Sequence, residues 1–247
     1  VHDDGVDITP DEIYTTYREK KILPTTSAVN VEEYKEMARP FIEAGNDVIH
    51  INLGSGISTS HNSCRIAAEE TPGLYSIDSG NLSTGMGLVV IAAAERIAAG
   101  MPVEQIVVEV EEVTKHVEAS FVIDTLEFLH KGGRCSTLAM LGANMLKLKP
   151  CIEVTEGKMG VGKKYRGSFE KCASEYIRDR LRDDDTVDLH RIFLTWSGCD
   201  RELIDSLKEE IKSYHNFEEV IDTEAGSTIS GHCGPGCLGI LYIHKEK

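Results

Sequence analysis

The chain has 247 residues, a formal net charge of −15, and 41% hydrophobic against 6% aromatic residues, so its core is aliphatic and its length fits one large or two small α/β domains. The acidic balance disfavours nucleic acid and anionic membrane surfaces as main partners, because neither tolerates a negative approach field. There is no run of 18 apolar residues for stable membrane insertion, no basic and apolar leader in VHDDGVDITP, and an odd set of seven cysteines that suits reduced thiols, so the expected location is cytoplasmic.

In chain order, the first clear element is a helix over NVEEYKEMARPFIEAG. Asn30 with Glu33 three positions on has the form of a capping box, Gly45 supplies a stop, and Pro40 is expected to kink the middle. DVIHINL (47–53) predicts a buried strand, GSGISTSHNS a loop, and CRIAAEE a helix. LYSID (74–78) predicts a second strand, followed by the loop SGNLSTG and two helices, MGLVVIAAAERIAAG and VEQIVVEVEEVTKHV. This rhythm implies a parallel sheet with crossover helices, whose ligands sit at the carboxyl ends of the strands. Near residue 119 the rhythm changes. SFVIDTLEFLHKGGR joins a strand start to a short helix, and LKLKPCIEVTEGKMGVGKKYR predicts an antiparallel hairpin turning at Glu156–Gly157. Helices then alternate with the strands LHRIFLTW and CLGILYIH. The expected fold class is α/β with two subdomains: a parallel-sheet α/β subdomain over 1–118 and a mixed α+β subdomain over 119–247.

Five short stretches carry possible chemistry. PTTSAVN sets Thr25, Thr26 and Ser27 ahead of a helix, where one hydroxyl serves as an N-cap and the others are left to explain. GSGISTSHNS is either an ordinary Ser/Gly turn or an anion cradle before a helix N-terminus, and it matches neither standard phosphate loop. KGGRCS and KKYRGS place Arg134 and Arg166 beside glycine, either as solvated surface groups or as bidentate donors to a carboxylate or phosphate. GHCGPGCLGI crowds His232, Cys233 and Cys237 among glycines. The C-x₃-C spacing lacks the second ligand pair that zinc requires and has one residue more than a redox dithiol. His232 in a glycine-rich turn, donating to a closely approached anion, remains.

Together these stretches resemble the DegV family of bacterial fatty-acid-binding proteins. PTTS before a helix, SGIST after a strand, IDS ending the next strand, LEFLHKGGR, LKLKP, YRGS and the terminal GHCGPGCLGI occur in the family's order over nearly the whole chain. The resemblance implies one long-chain fatty acid held between the two subdomains and no cofactor. It further implies a carrier subunit rather than an enzyme, presenting the carboxylate to a separate ATP-dependent fatty acid kinase that makes acyl phosphate for phospholipid synthesis. The family's head-group residues fall on Thr26, Ser58, Arg166 and His232, with Thr25 and Arg134 as neighbours. Two features depart from the family pattern. The turn reads Ser58-Thr59-Ser60 where the family has Ser-Gly-Thr, and the family's opening strand with its Asp-Ser pair precedes the point where this sequence starts. Without that strand a sheet edge is expected to be open. The rival reading from the residues alone is an α/β enzyme handling a phosphorylated or nucleotide ligand. A thiol- or zinc-dependent protein is the third.

Overall fold

A computed structural model describes residues 2–133, 148–155 and 157–245. The chain divides into two units: Val1–Thr26, Ala119–Glu153 and Met159–Lys245 form one, and Ser27–Glu118 with Val154–Lys158 form the other.

The Ser27–Glu118 unit is three-layered. Strands β1 (Val48–Asn52) and β2 (Leu74–Asp78) pair in parallel, with His50 opposite Ser76 and Asn52 opposite Asp78. Alternation along β1 sends Val48 to one face and Ile49 and Ile51 to the other. The first face packs on helices α2 (Val31–Glu43) and α3 (Ser60–Glu70) through Tyr34, Ala38, Cys64 and Ala67. The second packs on α4 (Ser83–Ala98) and α5 (Val103–Thr114) through Val89, Ala93, Ile106 and Val110. The capping box of α2 forms as its sequence requires, with Asn30 and Glu33 each bonding the other's backbone amide, and Gly45 leaves the helix at φ +84°. Among the described residues β1 and β2 pair only with each other. Ile49 and Ile51 therefore open onto a groove of about 430 Å³, which α4 borders with Val90 and Ile97.

The larger unit is built on a six-stranded sheet in the order β5-β4-β3-β8-β6-β7. Its strands are β3 (Val117–Ile123), β4 (Leu148–Thr155), β5 (Lys158–Arg166), β6 (Val187–Ser197), β7 (Glu219–Glu224) and β8 (Cys237–His244). β6 runs parallel to β7 and antiparallel to β8, and the crossover between the parallel pair is helix α8 (Arg201–Tyr214). With α7 (Phe169–Leu181), α8 covers one face of the sheet, burying Tyr176, Ile177, Ile204 and Leu207 against Val122, Ile192, Leu238 and Ile240. On the opposite face Phe121, Ile123, Ile152 and Cys237 meet Leu129 of the short helix α6 (Glu127–Lys131) and Cys233 of α9 (Ser227–Cys233).

Three elements depart from the expectation. Residues Pro10–Lys20 form a helix, α1, opened by a capping box between Thr9 and Glu12 with Pro10 in the first turn. α1 buries Ile13, Tyr14 and Tyr17 against Phe128 of α6, so residues 1–26 belong with the C-terminal half rather than with a subdomain over 1–118. The second departure is β7, a parallel edge strand whose sequence EVIDTE is mostly polar. Finally, the first half of the glycine-rich segment is not a turn. Ser227–Cys233 is helical, and His232 sits in its last turn.

Candidate functional site

His232 is the place to begin, because its ring is held from two sides by the chain's own geometry. Its Nε2 lies 2.9 Å from Thr26 Oγ1, a contact between residues 206 positions apart. Thr26 reaches it because α1 ends on Lys21 in the left-handed conformation (φ 59°), after which Leu23 packs on the α1–α6 cluster and Pro24 extends the chain. The hydroxyls of PTTS are not needed as caps, since Asn30 caps α2 itself. Thr26 is exposed and His232 half-buried.

On its other side the imidazole lies against Gly132 of the LEFLHKGGR motif. A Cβ at position 132 would collide with His232 Nδ1 and approach Cε1 to 3.1 Å. Two glycines of the terminal motif have similar explanations. Gly234 (φ +77°) sits where a Cβ would stand 2.6 Å from Phe128 Cδ2, and Gly236 (φ +70°) where it would stand 2.8 Å from Asp124 Cβ. Asp124 N donates to Gly236 O at 2.8 Å. The glycines thus allow close approach to the chain's own α6 segment, leaving the imidazole edge beside Thr26 as the polar feature of the turn. Cys233 and Cys237 are core residues. A hydrogen bond with Cys233, together with burial, holds the Cys237 thiol well above its usual range. Among the described residues no group of three His, Cys, Asp or Glu is placed to hold a metal ion.

Ser58 lies in the other unit, in the turn before α3. Its hydroxyl is 2.9 Å from Ser60 Oγ and accepts from Ser60 N at 3.2 Å, an ordinary Ser turn that leaves further lone-pair capacity. The turn is clamped by Asp78 of IDS, whose Oδ1 accepts from Ser55 N at 3.0 Å and Gly80 N at 2.9 Å. Burial works to raise the Asp78 carboxyl, but these bonds outweigh it and hold the group below the ordinary carboxylate range. Gly54 and Gly56 are bare because a Cβ would stand 2.8 Å from Asn81 N in one case and collide with Gly157 O of the β4–β5 turn in the other. Thr59 takes an αR conformation (φ −80°) that any residue adopts, so the turn does not require glycine there.

The candidates are not all brought together. Thr26 and His232 touch. Arg166 ends β5 and is exposed, and Thr25 is exposed beside Thr26. Arg134 lies outside the described residues. Along α4, Val89 and Ala93 are core, while Val90 and Ile97 are 44% and 58% exposed. The sequence reading missed Gly132 as the floor under His232. Its signal was the adjacent glycine pair of HKGGR, only one of which is needed to end the helix.

Residues 1–245 match the profile of the DegV family, described as a family of uncharacterised proteins. A DegV domain-containing protein of Deinococcus radiodurans is 28% identical over 243 residues, covering 97% of this chain and 85% of that protein. A fatty acid-binding protein of Thermotoga maritima is 29% identical over 239 residues, covering 93% and 82%. Among solved structures, a fatty-acid-binding DegV family protein of Thermus thermophilus superposes with a TM-score of 0.87 at 28% identity, over 98% of this chain and 87% of that one. DegV of Bacillus subtilis, a fatty acid binding protein, gives 0.85 at 27% identity over 99% and 87%.

Proposed function

This chain belongs to the DegV family, and on that premise we propose that it binds one long-chain fatty acid and presents the carboxylate to a separate ATP-dependent kinase, which forms the acyl phosphate for phospholipid synthesis. The observation that carries the reading is the contact between Thr26 Oγ1 and His232 Nε2 at 2.9 Å. A carboxylate that takes the place of this mutual contact accepts the Thr26 O–H on one oxygen and the His232 Nε2–H on the other. The relatives that share this fold and bind fatty acids support the ligand class. Ser58 and Arg166 are further head-group donors in this reading, the guanidinium supplying positive charge that a chain of net charge −15 otherwise lacks. No redox or metal cofactor is needed, and an ATP-dependent partner places the work in the cytoplasm.

Magnitudes divide the labour between tail and head. Burying a methylene is worth about 0.8 kcal/mol, so a tail of about 15 contributes on the order of 12 kcal/mol before ordering costs. A charge-assisted hydrogen bond adds about 1.5–3 kcal/mol. The tail therefore sets affinity and the polar groups set orientation. The test is a kinase assay with the ATP-dependent subunit and palmitate-loaded protein. His232→Ala is expected to lower acyl phosphate formation far more than palmitate affinity. A variant that binds poorly yet is phosphorylated normally when loaded contradicts the assignment.

A further inference from the structure

The helix that carries His232 has no cap of its own. α9 begins after Gly226, which has no side chain to offer, and its first turn contains no acidic residue. Its first amides are met instead by Asp4, 223 residues away from Ser227: Oδ1 accepts from Ser227 N at 2.6 Å and Oδ2 from Thr228 N at 2.7 Å. The bare Gly226 belongs to this arrangement, since a Cβ there would stand 3.2 and 3.3 Å from the two Asp4 oxygens. Burial works to raise the Asp4 carboxyl, but the hydrogen bonds from Thr228 and Ser227 prevail and keep it charged.

The same N-terminal segment grips α9 at two more points. Ser227 Oγ donates to Ile8 O at 2.8 Å, and Tyr14 OH is hydrogen-bonded to Ser197 Oγ, itself 2.7 Å from Ser230 Oγ. Tyr14, Ser197 and Ser230 are 7%, 1% and 0% exposed, so water does not compete for these bonds. The segment then runs on through α1 to Thr26, the partner of His232. One stretch of chain thus anchors the helix and delivers the hydroxyl that its histidine meets.

We infer that Asp4 is a positioning residue for the carboxylate site: seated on the first amides of α9, it sets the direction in which His232 Nε2 points. This rests on the head-group reading proposed above. In Asp4→Asn the side-chain NH₂ faces an amide donor, one bond is lost, and α9 is free to shift. Gly226→Ala crowds the carboxylate while leaving it in place chemically, at an extended backbone position that alanine adopts (φ −63°, ψ 174°).

The experiment is ¹³C NMR of [1-¹³C]palmitic acid bound to the full chain, titrated with pH, alongside affinity and thermal midpoint. Losing an aligned N–H donor disfavours the anion, so the bound carboxyl is expected to titrate at higher pH in His232→Ala. Asp4→Asn is expected to move it the same way, and Gly226→Ala less far, while palmitate affinity falls less than about tenfold. A wild-type titration in folded Asp4→Asn and Gly226→Ala, with His232→Ala shifted, overturns the role given to Asp4 and leaves the head-group reading standing. A wild-type titration in His232→Ala removes the head-group reading and this inference with it.

Discussion

Gly132 and His232 occupy one another's space: the imidazole Nδ1 lies where a side chain at position 132 would begin. Two motifs separated by a hundred residues, HKGGR and GHCGPGC, are therefore one structural unit, and the glycine is there for the histidine.

Gly132→Ala is expected to push the ring away from Thr26. Gly132 has helical angles (φ −74°, ψ −2°), so alanine suits the backbone and the damage falls chiefly on the ring contact, with a lesser press on Phe128 O at 3.2 Å, at about 1–3 kcal/mol of overpacking. Gly133→Ala provides the contrast: its φ of +70° strains any side chain by about 1–2 kcal/mol, yet nothing lies within 4 Å of its Cβ position. Both variants should lose stability in urea, but only Gly132→Ala should lower acyl phosphate formation. Equal loss of presentation in the two would dissolve the link between the motifs.

Tyr176 tests the larger core. Its hydroxyl donates to Ser120 O at 2.7 Å and accepts from Ile240 N at 3.0 Å, tying β3, β8 and α7 at a fully buried point. Tyr176→Phe leaves that amide and carbonyl without their partner, and about 1–3 kcal/mol of unfolding free energy should be lost. A urea midpoint equal to that of the wild type would show that water replaces the hydroxyl there.

The acid limb of stability has an assignable contributor. Hydrogen bonds from Arg201 and Lys208 hold the Asp222 carboxyl down at about 2. A carboxyl lowered on folding stabilises above its unfolded value of about 4, and that stabilisation is lost as pH falls through its folded value. The thermal midpoint of Asp222→Asn should lie below the wild type at pH 7, with the gap narrowing between pH 4 and pH 2. A gap that stays constant across this window would refute the assignment.

Thiol chemistry should be slow in the folded state. Of the described cysteines, five are buried and Cys199 is half-buried, its thiol pushed up to about 11 chiefly by burial. Alkylation mapped by peptide mass at pH 8 should find Cys199, Cys233 and Cys237 unmodified until denaturant is added. Treatment with EDTA should leave the thermal midpoint unchanged. Rapid native labelling of Cys233 or Cys237, or a chelator-dependent midpoint, would reopen the thiol or zinc reading.

Local signals carried well from sequence to structure where short-range physics decides. The Asn30–Glu33 box, the strand LYSID and the hairpin about Gly157 form as their residue patterns require. The α1 signal, Thr9-Pro10 followed by Glu12, was equally local and was overlooked because the segment holds few apolar residues between its charges. What could not be read was long-range. Nothing in the sequence pairs Asp4 with Ser227 or Gly132 with His232, since those contacts exist only after the sheet and its helices are assembled. The glycines of GHCGPGC suggested an external anion, whereas most of them accommodate Phe128 and Asp124. The contact between Thr26 and His232 was visible only as two motifs of one family resemblance.

Whether this chain carries a fatty acid is decided by native mass spectrometry of protein purified from a bacterial host, followed by solvent extraction and identification of the released molecule. One long-chain fatty acid per chain is expected, released on extraction and absent after delipidation. A folded sample that carries a nucleotide or a metal ion in its place would contradict it.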